Sequence, residues 1–217
     1  MISVEEAKQT LSYKRIDPLP KNESEKFPVL YVFRHGQSQD NADFIFSGWR
    51  DSKLTQTGIK QAEVLSEKLK AKKIDFLISS PQTRAIETMQ IAFSKNPSAK
   101  NLEIHLDDRI KERSYGELQG TSKLELFLKS PEVLNEYRRS YTKRAKSGES
   151  LEDVVKRVTS FCDDLVKQMS SSKINVAVSC HGNSMRGFRM YFEGLSIDQT
   201  CAIETPLGQD FASYIVQ

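Results

Sequence analysis

The chain has 217 residues, 38% hydrophobic and 28% charged, which suits one globular domain with a layered core. Its 32 basic and 29 acidic residues leave a net charge of +3, too balanced to argue for a nucleic-acid partner, and no apolar run approaches the roughly 18 residues of a membrane span. Cys162, Cys180 and Cys201 are widely spaced and form no CxxC pair, which argues against a disulfide framework or zinc site, and the N-terminus lacks a secretory layout, so a cytoplasmic protein is expected.

Residues 1–27 carry many charges and two prolines, Pro18 and Pro20, and read as an N-terminal extension packed on the surface, with a short helix near 4–11. A single catalytic domain is then expected over 28–217. Its first strand, 28–33, is uniformly apolar, as in a central parallel strand buried on both faces. It ends abruptly in Arg34-His35-Gly36-Gln37-Ser38. The loop Phe44-Ile45-Phe46-Ser47-Gly48-Trp49 follows and holds the only tryptophan. A helix capped by Thr55 or Thr57 buries Ile59, Ala62, Leu65 and Leu69. The second strand, 76–78, leads into Ser79-Ser80-Pro81-Gln82-Thr83-Arg84, with Arg84 early in the next helix. A short alternating strand at 102–106 carries His105, which has no partner motif and reads as structural or merely exposed.

Beyond a charged loop at 107–120, helices are expected near 124–128 and 133–137, then a basic cluster from Arg138 to Lys146. The helix over 150–169 is the best defined: Ser150 and Asp153 make a capping box, and Leu151, Val154, Val158, Phe161, Leu165 and Met169 lie on its apolar stripe. The strand 174–179 runs into His181-Gly182-Asn183-Ser184 and a helix from about 184 to 192. Two further strands, near 201–204 and 211–216, close the sheet. This alternation predicts an α/β fold, a three-layer α/β/α sandwich with a mainly parallel sheet. Two strand ends each presenting a His-Gly pair would set both imidazoles on one sheet edge, where such folds bind ligands.

Arg34-His35-Gly36 with Asn41, the Phe46-Ser47-Gly48-Trp49 loop, Glu112-Arg113-x-Tyr115-Gly116 and His181-Gly182-Asn183-Ser184 resemble the histidine phosphatase superfamily. Within it they look most like the cofactor-dependent phosphoglycerate mutases, over about residues 28–192. The resemblance implies His35 as phosphoryl acceptor, Arg34, Arg84 and His181 as donors to the transferring group, and Glu112 as general acid and base. It implies 2,3-bisphosphoglycerate as primer, a small phosphorylated substrate and no metal; a homo-oligomer is compatible with it. Physically, guanidinium groups match phosphate, and nearby arginines are expected to keep both imidazoles neutral. A carboxylate near an incoming phosphate dianion is expected to sit closer to protonation. Asn41, Ser47, Gly48 and Asn183 are candidate contacts, and Arg113, Tyr115, Lys123, Arg138 and Arg139 fall where the mutases bind substrate.

Departures point the other way. Gln37 stands where mutases usually carry glutamate, Ser114 where they often carry histidine, and the segment between Tyr141 and Glu149 is short. The chain ends at Gln217 directly after a strand, without the tail that often covers the mutase site. These features imply a more open pocket and, as the alternative, a metal-independent phosphatase acting on a small monoester. A third reading, a non-enzymatic binding module built on the basic cluster, finds no aromatic stacking pattern there, and a charge run is usually a solvated face.

Overall fold

The computed structural model describes residues 2–12 and 16–217. In chain order the elements are α1 (Val4–Ser12), β1 (Val29–Arg34), α2 (Gln39–Ala42), α3 (Gln56–Leu69), β2 (Phe76–Ser79), α4 (Thr83–Phe93), β3 (Ile104–Leu106), α5 (Lys123–Lys129), α6 (Pro131–Arg139), α7 (Leu151–Ser172), β4 (Val176–Cys180), α8 (Gly182–Glu193), α9 (Ile197–Ala202) and β5 (Ala212–Ile215). One sheet orders its strands β3-β2-β4-β1-β5. All neighbours pair parallel except β5, which runs antiparallel to β1.

Strand alternation divides the core between two faces. Leu30, Val32, Val176, Val178 and Cys180 pack with Val154, Val158, Phe161 and Leu165 of α7 and with Met185 and Phe188 of α8. Val29, Tyr31, Phe33, Leu77 and Ala177 face Leu65 and Leu69 of α3 and Met89, Ala92 and Phe93 of α4. The result is the expected three-layer sandwich with helices on both faces. Every residue of β1 and of β4 is buried, which is why both read as uninterrupted apolar runs.

The helix boundaries follow their capping chemistry. Thr55 caps α3 by accepting from the Gly58 N–H, and Ser150 with Asp153 forms the expected box at the start of α7. Lys173, in the left-handed region at φ 56°, ends α7. The strand expected near 201–204 is instead α9. Ser196 and Gln199 form a second capping box there, which starts a helix that the short run Cys201-Ala202-Ile203 alone does not suggest. Residues 203–206 then leave the helix outside any strand.

The N-terminal residues pack onto this frame. Leu11 of α1 is buried with Phe46, Tyr115 and Leu134. Residues 20–22 run beside β5, where the Ser213 N–H donates to the Pro20 carbonyl (2.9 Å) and the Asn22 N–H to the Ser213 carbonyl (3.1 Å). Those bonds cover the sheet edge at that point. At the opposite edge, His105 of β3 stacks on Phe76, with ring centroids 4.3 Å apart and planes at 13°, far from both His-Gly turns in the strand order.

The packing of α8 on α7 fixes the turn that carries His181. Phe188 is fully buried and meets Phe161 edge-on at 5.8 Å. Phe188→Ala is expected to cost about 3–5 kcal/mol, read as a lower urea midpoint at unchanged slope. A loss below about 1 kcal/mol would show that this layer does not carry the fold.

Candidate active site

β1 and β4 are paired so that Arg34 lies opposite Cys180, and the His35 N–H donates to the Cys180 carbonyl (3.0 Å). Both chains turn away immediately afterwards, which leaves the rings of His35 and His181 with centroids 5.0 Å apart at 59°. The two histidines are buried.

The His35 ring is fixed at both nitrogens. Nδ1 lies 2.6 Å from the carbonyl of Gly36, so it carries the proton and donates, which leaves the Nε2 lone pair outward. The Arg84 Nε–H points at that lone pair from 3.3 Å. Arg84 comes from the first turn of α4, and its other nitrogens donate to the carbonyls of Arg50 (3.0 Å) and Gly48 (2.9 Å). Gly48 is required here: its φ is +50°, and a Cβ would strike the Gln119 side chain.

His181 is the N-cap of α8 and has Ser80 Oγ 2.8 Å from Nε2. With the Ser80 hydroxyl donating to Nε2, the ring proton sits on Nδ1, which meets no protein acceptor. Burial, followed by the charges of Arg84, His35 and Arg34, holds the His181 pKa well below its usual 6.5. The ring is therefore neutral at pH 7, as the sequence implied.

Arg34 donates through Nη1 to the Thr205 carbonyl (3.1 Å), while its buried Nε has no partner. Ser47 Oγ is likewise buried and unpartnered. Arg34 Nε, Ser47 Oγ and His181 Nδ1 are thus unmet polar atoms beside or near one histidine, and leaving buried donors unmet is costly unless a ligand completes them. Their chemistry fits an oxyanion such as a phosphoryl group.

Glu112 completes the wall. Its Oε1 accepts from the backbone N–H of Asn183 (3.1 Å), from Asn183 Nδ2 (2.9 Å) and from the Arg113 N–H (2.8 Å). Burial pushes the Glu112 carboxyl up, but these hydrogen bonds and the charges of Arg34 and Arg84 outweigh it and hold the pKa below 4.5. Without phosphate the group is a carboxylate; the rise expected from sequence requires the dianion beside it. The Asn183 N–H at the start of α8 serves Glu112.

A cavity of about 510 Å³ opens over these groups. Arg34, His35, Asn41, Ser47, Gly48, Arg84, Glu112, Tyr115, Lys123, Arg138 and Asn183 all border it. Arg113 does not. Its buried guanidinium donates to the carbonyls of Glu149 (2.8 Å), Tyr137 (2.8 Å) and Lys143, so it stitches loops together. Arg139 is also absent from the cavity wall and pairs with Glu204 (2.5 Å). Sequence reading missed Ser80, which orients His181, and Glu204, Arg186 and Leu11, which border the cavity. Ser80 stands just before Pro81 at the end of the second strand, with nothing in its local sequence to mark a bond to a histidine 101 residues away. The half-buried Gln119 side chain under Gly48 likewise left no signal. Among the described residues, no group of three or more His, Cys, Asp or Glu is placed to hold a metal ion, and no helix is long and apolar enough to cross a membrane.

Paired buried histidines, flanking arginines and a buried carboxylate on the edge of a mainly parallel sheet define a phosphate-handling α/β enzyme. The sequence profile of the Histidine phosphatase superfamily (branch 1) matches residues 30–209, and the chain belongs to that superfamily. It is 34% identical over 182 residues to the 2,3-bisphosphoglycerate-dependent phosphoglycerate mutase of Cytophaga hutchinsonii, a match covering 83% of this chain and 84% of that protein. It is 36% identical over 183 residues to the phosphoglycerate mutase of Schizosaccharomyces pombe, covering 83% and 86%. Among solved structures, a mycobacterial glucosyl-3-phosphoglycerate phosphatase superposes with a TM-score of 0.75 at 22% identity, covering 86% of this chain and 92% of that one. The alpha-ribazole phosphatase of Shigella flexneri gives 0.71 at 20%, covering 87% and 95%. At these identities the two structures speak to the fold.

The state of His181 has a consequence for stability. Its folded pKa lies below the unfolded value, so under about pH 6.5 the unfolded chain takes up a proton that the folded chain refuses. Stability is therefore expected to fall on acidification from that point by up to about 1.4 kcal/mol per pH unit. Urea titrations of the native chain and His181→Gln between pH 7 and 5 check this; an identical slope in both would refute it.

Proposed function

We propose that the chain is a phosphoglycerate mutase that interconverts 2- and 3-phosphoglycerate through a phosphorylated His35, in the cytoplasm, with 2,3-bisphosphoglycerate as primer. The observation that carries the phosphoryl-transfer chemistry is the geometry at His35, with Nδ1–H tied to the Gly36 carbonyl and the Nε2 lone pair presented beside Arg84. The preference for a mutase rests on the relatives at 34–36% identity, matched over more than four-fifths of both chains.

In this reading, His35 Nε2 attacks phosphorus as the P–O bond to the leaving oxygen breaks. Arg34, Arg84 and His181 Nδ1–H take up the charge on the equatorial oxygens. Glu112, protonated when a phosphate dianion adjoins it, gives its proton to the leaving oxygen. In the second half, the Glu112 carboxylate removes a proton from the substrate hydroxyl as that oxygen attacks the phosphoryl group on His35. Lys123, Tyr115 and Arg138 also border the cavity, and the three-carbon acid would lie against them. The catalytic domain is taken as residues 28–217, with 1–27 as an extension.

One observation favours the second reading, a phosphatase on a small monoester. The Arg138 and Arg139 guanidinium groups already engage Glu204, and Arg113 is spent on carbonyls, so the acid grip is weaker than the sequence motif implied. Following 3-phosphoglycerate by phosphorus NMR, with and without 2,3-bisphosphoglycerate, separates the two. The mutase reading expects 2-phosphoglycerate, formed faster with primer. Free phosphate with no 2-phosphoglycerate would replace it by the phosphatase reading.

A further inference from the structure

The polar groups around the cavity differ in how well they are satisfied. Beside the histidines, buried Arg34 Nε and His181 Nδ1 lack partners among the described residues. Two other cations are already matched. Arg138 and Arg139 leave the last turn of α6 and converge on one oxygen of Glu204, at 3.4 and 2.5 Å. The Glu204 side chain is mostly covered, 12% exposed, and it borders the cavity with Arg138.

Its backbone is firmly placed. The carbonyl before it, Ile203, accepts from Arg186 Nε (3.2 Å) and Nη2 (3.1 Å), and the one after it, Thr205, accepts from Arg34. The Glu204 N–H donates to Asp17 Oδ2 (3.2 Å). Its side chain is held by the two arginines.

We infer that Glu204 is a specificity-determining residue, a tethered carboxylate that borders the cavity, holds Arg138 and Arg139 and competes with the carboxylate of the ligand. The inference rests on the phosphoglycerate reading of this same cavity. A group fixed to the chain competes at a high effective concentration and has no association entropy to lose. An incoming carboxylate must take Arg138 from it and then lie near a displaced negative charge. Phosphate therefore supplies most of the affinity, and the ligand's carboxylate adds little while Glu204 is in place. The swap also gives the arginines a partner as the ligand leaves, which favours exchange over retention.

Calorimetric titration tests this without relying on turnover, using the full chain carrying His35→Ala so that no ligand is consumed. The ligands are 3-phosphoglycerate and glycerol 3-phosphate, which share the phosphate and differ in the carboxylate. With Glu204 present, the two Kd values are expected to lie within about fivefold; Glu204→Gln should widen the preference for 3-phosphoglycerate by about fivefold or more. An unchanged ratio overturns the inference. Should Glu204→Gln fail to fold, the ratio of the parent protein decides, and a preference for the acid above about fivefold overturns it. If neither compound binds the parent protein, the phosphate-site reading itself has failed.

Discussion

The register between β1 and β4 is the constraint on which this site depends. Leu30 pairs with Val176 and Arg34 with Cys180, and the ladder continues one bond further, from the His35 N–H to the Cys180 carbonyl. Both histidines therefore leave the sheet at the same edge and on the same level. A slip of one residue would turn every side chain of one strand to the other face, burying an arginine in the apolar layer and separating the rings. The buried alternation of both strands against two helix layers is what forbids that slip. β2 lies beside β4 and delivers Ser80 and Arg84 to the same edge.

Electrostatics follows from that placement. Burial, with the two arginines, keeps the His181 ring neutral, while the contacts of His35 fix its proton on Nδ1 and leave Nε2 as the nucleophile of the proposed reaction. Hydrogen bonds from Arg113 and Asn183, with the same cations, hold Glu112 ionised, and a phosphate dianion would partly cancel that field. In the proposed reaction, proton transfer would thereby be coupled to the arrival of phosphate. Arg34 Nε and His181 Nδ1 remain unmet among the described residues, while Arg138 and Arg139 are already paired with Glu204.

Much of this was legible in the sequence. The two apolar runs ending in His-Gly, the capped apolar stripe of α7 and the Ser-Ser-Pro-x-x-Arg turn each express a local rule, and each lies where expected within a few residues. What was not legible depends on contacts between distant segments. Arg113 looks like a substrate ligand in its motif, yet its acceptors are carbonyls at 137, 143 and 149, brought close by loops without periodicity. Glu204 was hidden inside a short apolar stretch that suggested a strand, and only the Ser196–Gln199 box turns that stretch into a helix and frees the next residues to line the cavity. Ser80 carried no charge or spacing signal for its bond to His181, which sits 101 residues away.

The central claim is that His35 accepts the phosphoryl group at Nε2. Incubating the chain with 2,3-bisphosphoglycerate, quenching in alkali and mapping the modified peptide by mass spectrometry tests it directly. The account predicts one phosphate, stable to alkali and lost in acid, on the peptide containing His35, and none on His35→Ala. Phosphate on another residue, or labelling that survives His35→Ala, would contradict it.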